Sequence, residues 1–128
     1  MNASQFETIL TSLDQGVMTI TMNRPDRLNA WTYQMGAELQ QAIESGNDNP
    51  EVNVFVLTGA GRGFCAGADI KDLFKNQADS GEDGSNERPA RDWVGLVRRA
   101  KPMIAAVNGA AVGVGLTQIL PCDYIMAS

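Results

Sequence analysis

The chain has 128 residues, 44% of them hydrophobic and 20% charged, with a net charge of -5. That suffices for one domain with a core and does not fit a disordered segment. The acidic balance argues against nucleic acid, and no apolar run reaches membrane-spanning length; the absence of histidine removes Ser-His-Asp and Cys-His catalysis and most zinc chemistry, so no metal site is expected.

The N-terminal stretch "FETILTSLDQGVMTITM" reads as a hairpin, with strands over Phe6 to Leu13 and Val17 to Met22 joined by Asp14-Gln15-Gly16. "NRPDRLNAW" follows as a loop broken by Pro25. Thr32 is placed to cap a helix whose apolar positions Met35, Leu39, Ala42 and Ile43 share one face, with Gly46 as its end. Val52 to Thr58 is apolar on both faces apart from Asn53, as a strand covered on two sides should be.

Next comes a glycine-rich loop, "TGAGRGFCAGADI", and a short helix expected from about Ala68 to Phe74. "KNQADSGEDGSNER" is polar and acidic, and reads as a solvated connection or a lid. Pro89 is expected to open the helix "ARDWVGLVRRA". Arg98, Arg99 and Lys101 make a small basic cluster, read first as a solvated helix end and second as a phosphate contact. Met103 to Val107 is a short buried strand, "NGAAVGVGLTQIL" a second glycine-rich loop opening a helix, and "CDYIMAS" a third strand after it. Strands alternating with helices imply parallel pairing and an α/β class. Cys65 and Cys122, with no secretory segment ahead of them, read as reduced thiols of a cytoplasmic protein.

Each glycine loop leaves a strand and opens a helix, where N–H groups lack intrahelical partners. For one loop alone, a tight turn explains the glycines. For two loops in the same context, a pair of N–H groups aimed at one oxygen, an oxyanion hole, is the better reading. A dinucleotide site competes poorly: Gly59, Gly61 and Gly63 are spaced G-x-G-x-G, so Phe64 stands where the third glycine of G-x-G-x-x-G would be. No G-K-[ST] phosphate loop occurs.

"NRPDRLNAW", "VLTGAGRGFCAGADI", "KPMIAAVNGAAVGVGL" and "CDYIMAS", in this order and at these intervals, resemble the crotonase superfamily of enoyl-CoA hydratases and isomerases. The resemblance covers nearly the whole chain. It implies a crotonase-like spiral of ββα units, with residues 1–128 as the N-terminal part of one core domain, cut before its C-terminal helices. It also implies an acyl-CoA or enoyl-CoA substrate in fatty acid metabolism, lyase or isomerase chemistry, no cofactor beyond the substrate's own coenzyme A, no membrane partner, and a homo-oligomer (trimer or dimer of trimers) for the full-length protein.

Residue by residue, the resemblance gives the backbone N–H groups of Ala68 and Val114 the role of oxyanion donors. Arg27 and Leu28 match the loop along the CoA nucleotide, and Ala66, Asp69 and Ile70 the segment around adenine and pantetheine. Asp69 also suits the first turn of a helix through the dipole. Thr117, between Leu116 and Gln118, occupies the position of a hydratase glutamate. A threonine is no general base near neutral pH without help, which favours an isomerase, whose carboxylate would lie beyond Ser128. The chain alone is then expected to be weakly binding and nearly inactive. A non-catalytic oligomerising or interaction module is the alternative, and a nucleotide-binding domain a distant third.

Overall fold

The computed structural model describes residues 6–79 and 92–128. Its elements run β1 (Ile9–Asp14), β2 (Val17–Met22), a 3-10 turn (Pro25–Arg27), α1 (Tyr33–Asp48), β3 (Val54–Gly59), α2 (Ile70–Asp79), α3 (Trp93–Arg99), β4 (Met103–Val107), α4 (Val114–Thr117) and β5 (Tyr124–Ala127).

The hairpin closes on two residues, Gln15 and Gly16, with φ of 49° and 83°. Two successive positive φ values give the turn whose twist matches the strands. Asp14 therefore belongs to β1, opposite Val17. The expected strand start at Phe6 shifts to Ile9, because the N–H groups of Glu7 and Thr8 bond the Glu38 carboxylate at 3.1 and 2.8 Å instead of a strand. Burial would raise the Glu38 carboxyl; the hydroxyl of Thr8, these two N–H groups and Gln34 outweigh it and hold it below its ordinary range.

Five strands form one sheet in the order β1-β2-β3-β4-β5. The first pair is antiparallel, and β2–β3, β3–β4 and β4–β5 are parallel. The α/β class is thus the one the alternating pattern demands. In β2, Met18, Ile20 and Met22 point into the core, where α1 lays Met35, Leu39, Ala42 and Ile43 against them. Burying each of these Met, Leu and Ile side chains contributes roughly 1.5–3 kcal/mol. The Thr32 hydroxyl accepts the Met35 N–H at 3.1 Å, as an N-cap should.

Some boundaries differ from the sequence expectation. Gly46 does not end α1, which continues to Asp48. Its missing side chain makes room for the Phe55 ring and the Met18 sulfur. β3 spans Val54 to Gly59, shifted from Val52–Thr58, because the N–H groups of Asn53 and Val54 bond Gly16 O in the hairpin turn. α3 begins at Trp93 with Asp92 as its cap, the carboxylate accepting Gly95 N–H at 2.9 Å. Pro89, expected to open this helix, lies outside the described residues, as does most of the acidic segment. α4 is shorter than expected because its chain turns again at Gln118.

Parallel pairing has a direct consequence for function. The C-terminal ends of β2, β3 and β4 lie along one edge of the sheet, so the three loops that leave them are neighbours.

Candidate active site

The three loops zip together through main-chain hydrogen bonds. Residues 64–69 of the first glycine loop form the middle line. On one side, Leu28 O accepts Ala66 N–H at 3.0 Å, Gly67 O accepts Trp31 N–H at 2.7 Å, and Trp31 O accepts Asp69 N–H at 2.8 Å. On the other, Ala110 O accepts the N–H groups of Phe64 and Cys65, and Cys65 O accepts Val112 N–H at 3.0 Å. The sheet therefore continues past its strands as a small parallel ladder, with bridges at Trp31–Ala68 and Cys65–Ala111.

Two asparagines fasten this ladder. Asn29 is fully buried in a left-handed conformation, φ 56°, which asparagine tolerates. Its amide donates to Ala60 O and Gly63 O at 2.9 and 2.8 Å, and its oxygen accepts Arg24 N–H at 2.7 Å. Asn108 donates to Gly61 O at 3.0 Å and accepts Gly59 N–H at 3.2 Å. Between the loops the packing is backbone on backbone: a Cβ on Gly115 would overlap the Cys65 carbonyl.

The geometry aims two amides. Every peptide here is trans, so C=O and N–H of one peptide point opposite ways. The Gly67 carbonyl is held by Trp31, and the Ala68 N–H of the same peptide consequently faces away from Trp31, on the side where Ala110–Val112 run. The Gly113 carbonyl accepts from Leu116 and Thr117, and the Val114 N–H projects the other way, out of the start of α4. Among the described residues neither N–H has an acceptor. The loops are joined by the hydrogen bonds between residues 64–65 and 110–112, and Gly67 Cα lies 4.0 Å from where a Cβ on Gly113 would stand.

Asp69 is engaged on both oxygens. One accepts Asp72 N–H at 3.2 Å, capping α2; the other pairs with Arg24 Nη2 at 3.1 Å. The Asp72 N–H, more than Arg24, keeps its carboxyl below the ordinary value. This ladder and cap start α2 at Ile70, two residues past the expected Ala68, and the helix runs on to Asp79, beyond the expected Phe74. Arg24 also donates through Nη1 to Ala30 O at 2.6 Å. Both thiols are free. Burial raises the Cys65 thiol against the N–H groups of Gly67 and Trp31, and burial with the Asp123 carboxylate pushes Cys122 up to about 11. Neither is a thiolate nucleophile at neutral pH.

Beside the ladder lies a groove of about 1020 Å³ between α1, α3 and α4, lined by Trp31, Trp93, Leu96, Val114 and Thr117 among others. The Trp93 indole is fixed by its N–H to Gln118 O at 2.7 Å. Of the residues singled out in the sequence, Leu28, Ala66, Ala68 and Asp69 lie on the ladder, and Val114 opens α4 and lines the groove beside it. Thr117 lines the groove, Arg27 is exposed on the 3-10 turn, and Ile70 is 65% exposed at the start of α2. Sequence reasoning missed Arg24, Asn29, Trp31, Asn108 and Trp93. Asn108 directly follows β4 and had a signal as a turn former; Asn29, seven residues past β2, had the same signal, but nothing local foretold its burial.

The enoyl-CoA hydratase/isomerase family profile matches residues 12–128. The chain belongs to the enoyl-CoA hydratase/isomerase family. It is 42% identical over 127 residues to "Probable enoyl-CoA hydratase EchA14" of Mycobacterium tuberculosis, covering 97% of this chain and 48% of that protein. It is 40% identical over 126 residues to 1,2-epoxyphenylacetyl-CoA isomerase of Escherichia coli, covering 95% and 48%. An enoyl-CoA hydratase structure from Shewanella pealeana superposes with a TM-score of 0.85 at 28% identity, covering 98% of this chain and 48% of that one. One from Mycobacterium marinum gives 0.79 at 35%, covering 95% and 58%. The fold is thus crotonase-like, and the family chain described here spans about half the length of the relatives it matches.

Proposed function

We propose that this chain carries the thioester-gripping half of an acyl-CoA enzyme, in which the N–H groups of Ala68 and Val114 hold the thioester oxygen as it gains enolate charge. The observation that carries this reading is the pair of amides without acceptors among the described residues, on two loops hydrogen-bonded to each other at Cys65 and Val112. Backbone donors of this kind, fixed before reaction, each typically contribute about 2.7–4 kcal/mol to transition-state binding.

Thr117 favours an isomerase over a hydratase. Its hydroxyl stands where the resemblance puts a hydratase's glutamate and cannot activate water near neutral pH. Arg27, Leu28, Ala66, Asp69 and Ile70 are the proposed CoA-side residues, with Asp69 acting mainly as a cap and ion-pair partner. The chain alone binds weakly and turns over little, and the intact protein's trimeric assembly belongs to the same proposal.

The test is an amide NMR titration with octanoyl-CoA, using free CoA and NAD as controls. Shifts at Ala68 and Val114 with the thioester alone are expected. Shifts only near Arg27 and Leu28 would leave CoA binding and remove the oxyanion role; equal shifts with NAD would revive the nucleotide-binding reading.

A further inference from the structure

Asp69 places a carboxylate one residue from the Ala68 N–H. Left alone, that negative charge would oppose the enolate that, on the function proposed above, forms at this amide. The structure supplies an answer in the Arg24 guanidinium. It spans the Trp31–Ala68 bridge from outside, with Nη1 on Ala30 O and Nη2 on Asp69 Oδ2, and both side chains are largely withdrawn from solvent, at 23% and 17% exposure. Pairs so shielded are screened little by salt.

We propose that Arg24 is a positioning and charge-balancing residue for the Ala68 amide: it fixes the peptide's edge through Ala30 and cancels the Asp69 charge beside it. This rests on the oxyanion reading for its catalytic meaning. It is distinct from a purely mechanical clamp, because it requires the charge of Arg24 and Asp69 together to be zero. Asp72, whose Oδ2 accepts Tyr33 N–H at 3.0 Å, is common to every variant compared below and drops out of the comparison.

Base-catalysed amide exchange reads the local charge without any ligand. Hydroxide takes the N–H proton, forms water and leaves a transient peptide anion, so a neighbouring negative charge slows the step and a positive one speeds it. The Ala68 and Val114 N–H groups, lacking acceptors, exchange without prior unfolding. Arg24→Ala is expected to slow Ala68 exchange on the order of tenfold. Asp69→Asn should speed it by a similar factor. The double variant Arg24→Ala/Asp69→Asn should return it to near the wild-type rate, and Arg24→Lys should hold it there; Val114 serves as the internal reference throughout.

An unchanged Ala68 rate in both single variants overturns the proposal. So does acceleration in Arg24→Ala that the second substitution does not reverse, which would make Arg24 a clamp only. If Arg24→Ala does not fold, the opposite sign in Asp69→Asn still decides. Acetoacetyl-CoA added to the wild-type chain separates the two ideas. If the exchange pattern holds but neither amide responds to this thioester, the oxyanion reading falls, and Arg24's catalytic role with it. If both amides respond but exchange ignores the charges, the charge balance alone falls.

Discussion

The two glycine loops look alike in sequence but are held differently. The first, Ala60 to Asp69, has a hydrogen-bonded neighbour on each side, and Gly63, Phe64 and Cys65 within it are buried. The second, Asn108 to Gly113, bonds chiefly to the first; Ala110, Val112 and Gly113 are exposed, and α4 behind it has only four residues. A ladder's middle line is fixed by two partners, and its outer line by one. The first loop is therefore the template, and the second is positioned against it.

Breaking the contact between them should have the largest effect. Gly115→Ala drives a methyl into the Cys65 carbonyl, where neither partner is a flexible side chain, and we expect a loss of about 3 kcal/mol in urea unfolding. A loss below about 1 kcal/mol would mean that the loops do not pack as closely as described.

Asn29→Ala attacks the template itself. It removes the donor from the half-buried Ala60 carbonyl and the shorter of two donors from the buried Gly63 carbonyl, and a loss of about 2 kcal/mol is expected. Amide exchange should then rise at Phe64 and Cys65 more than in α1; a uniform rise would make Asn29 a global rather than a loop determinant.

Gly113→Ala probes the outer loop. Nothing but Gly67 Cα, at 4.0 Å, lies near the added methyl, so only the backbone at φ 57°, ψ -125° resists it. The cost should be about 1–2 kcal/mol, below that of Gly115→Ala. Reversal of that order would make the second loop the more rigid one.

Acid gives the smallest and most local effect. The Asp69 carboxyl is held low in the folded chain, so its contribution is complete above the ordinary Asp value and disappears as pH falls through the lower folded value. A pH titration by NMR should therefore move the Ala68 amide at low pH before Val114. Simultaneous movement would indicate general unfolding, in which Glu38, also held low, takes part.

Much of this was legible in the chain itself. The order of elements followed from hydrophobic periodicity and from Gln15-Gly16 and Thr32, which act through local backbone chemistry. The glycine loops were found because glycine marks where backbone meets backbone. What was not legible depended on partners distant in sequence. Gly46 reads as a helix stop until Phe55 is seen against it. Arg24 and Asp69 are separated by 45 positions, and no local pattern pairs them. Trp93 is one more apolar helix residue until Gln118 O receives its N–H.

Main-chain donors at Ala68 and Val114 also bear on how such a protein changes over generations. Every residue except proline brings the same N–H, so most replacements at these positions alter the walls of the site without deleting the donor. On the function proposed above, pocket shape and tail preference can then drift while the grip on the thioester persists.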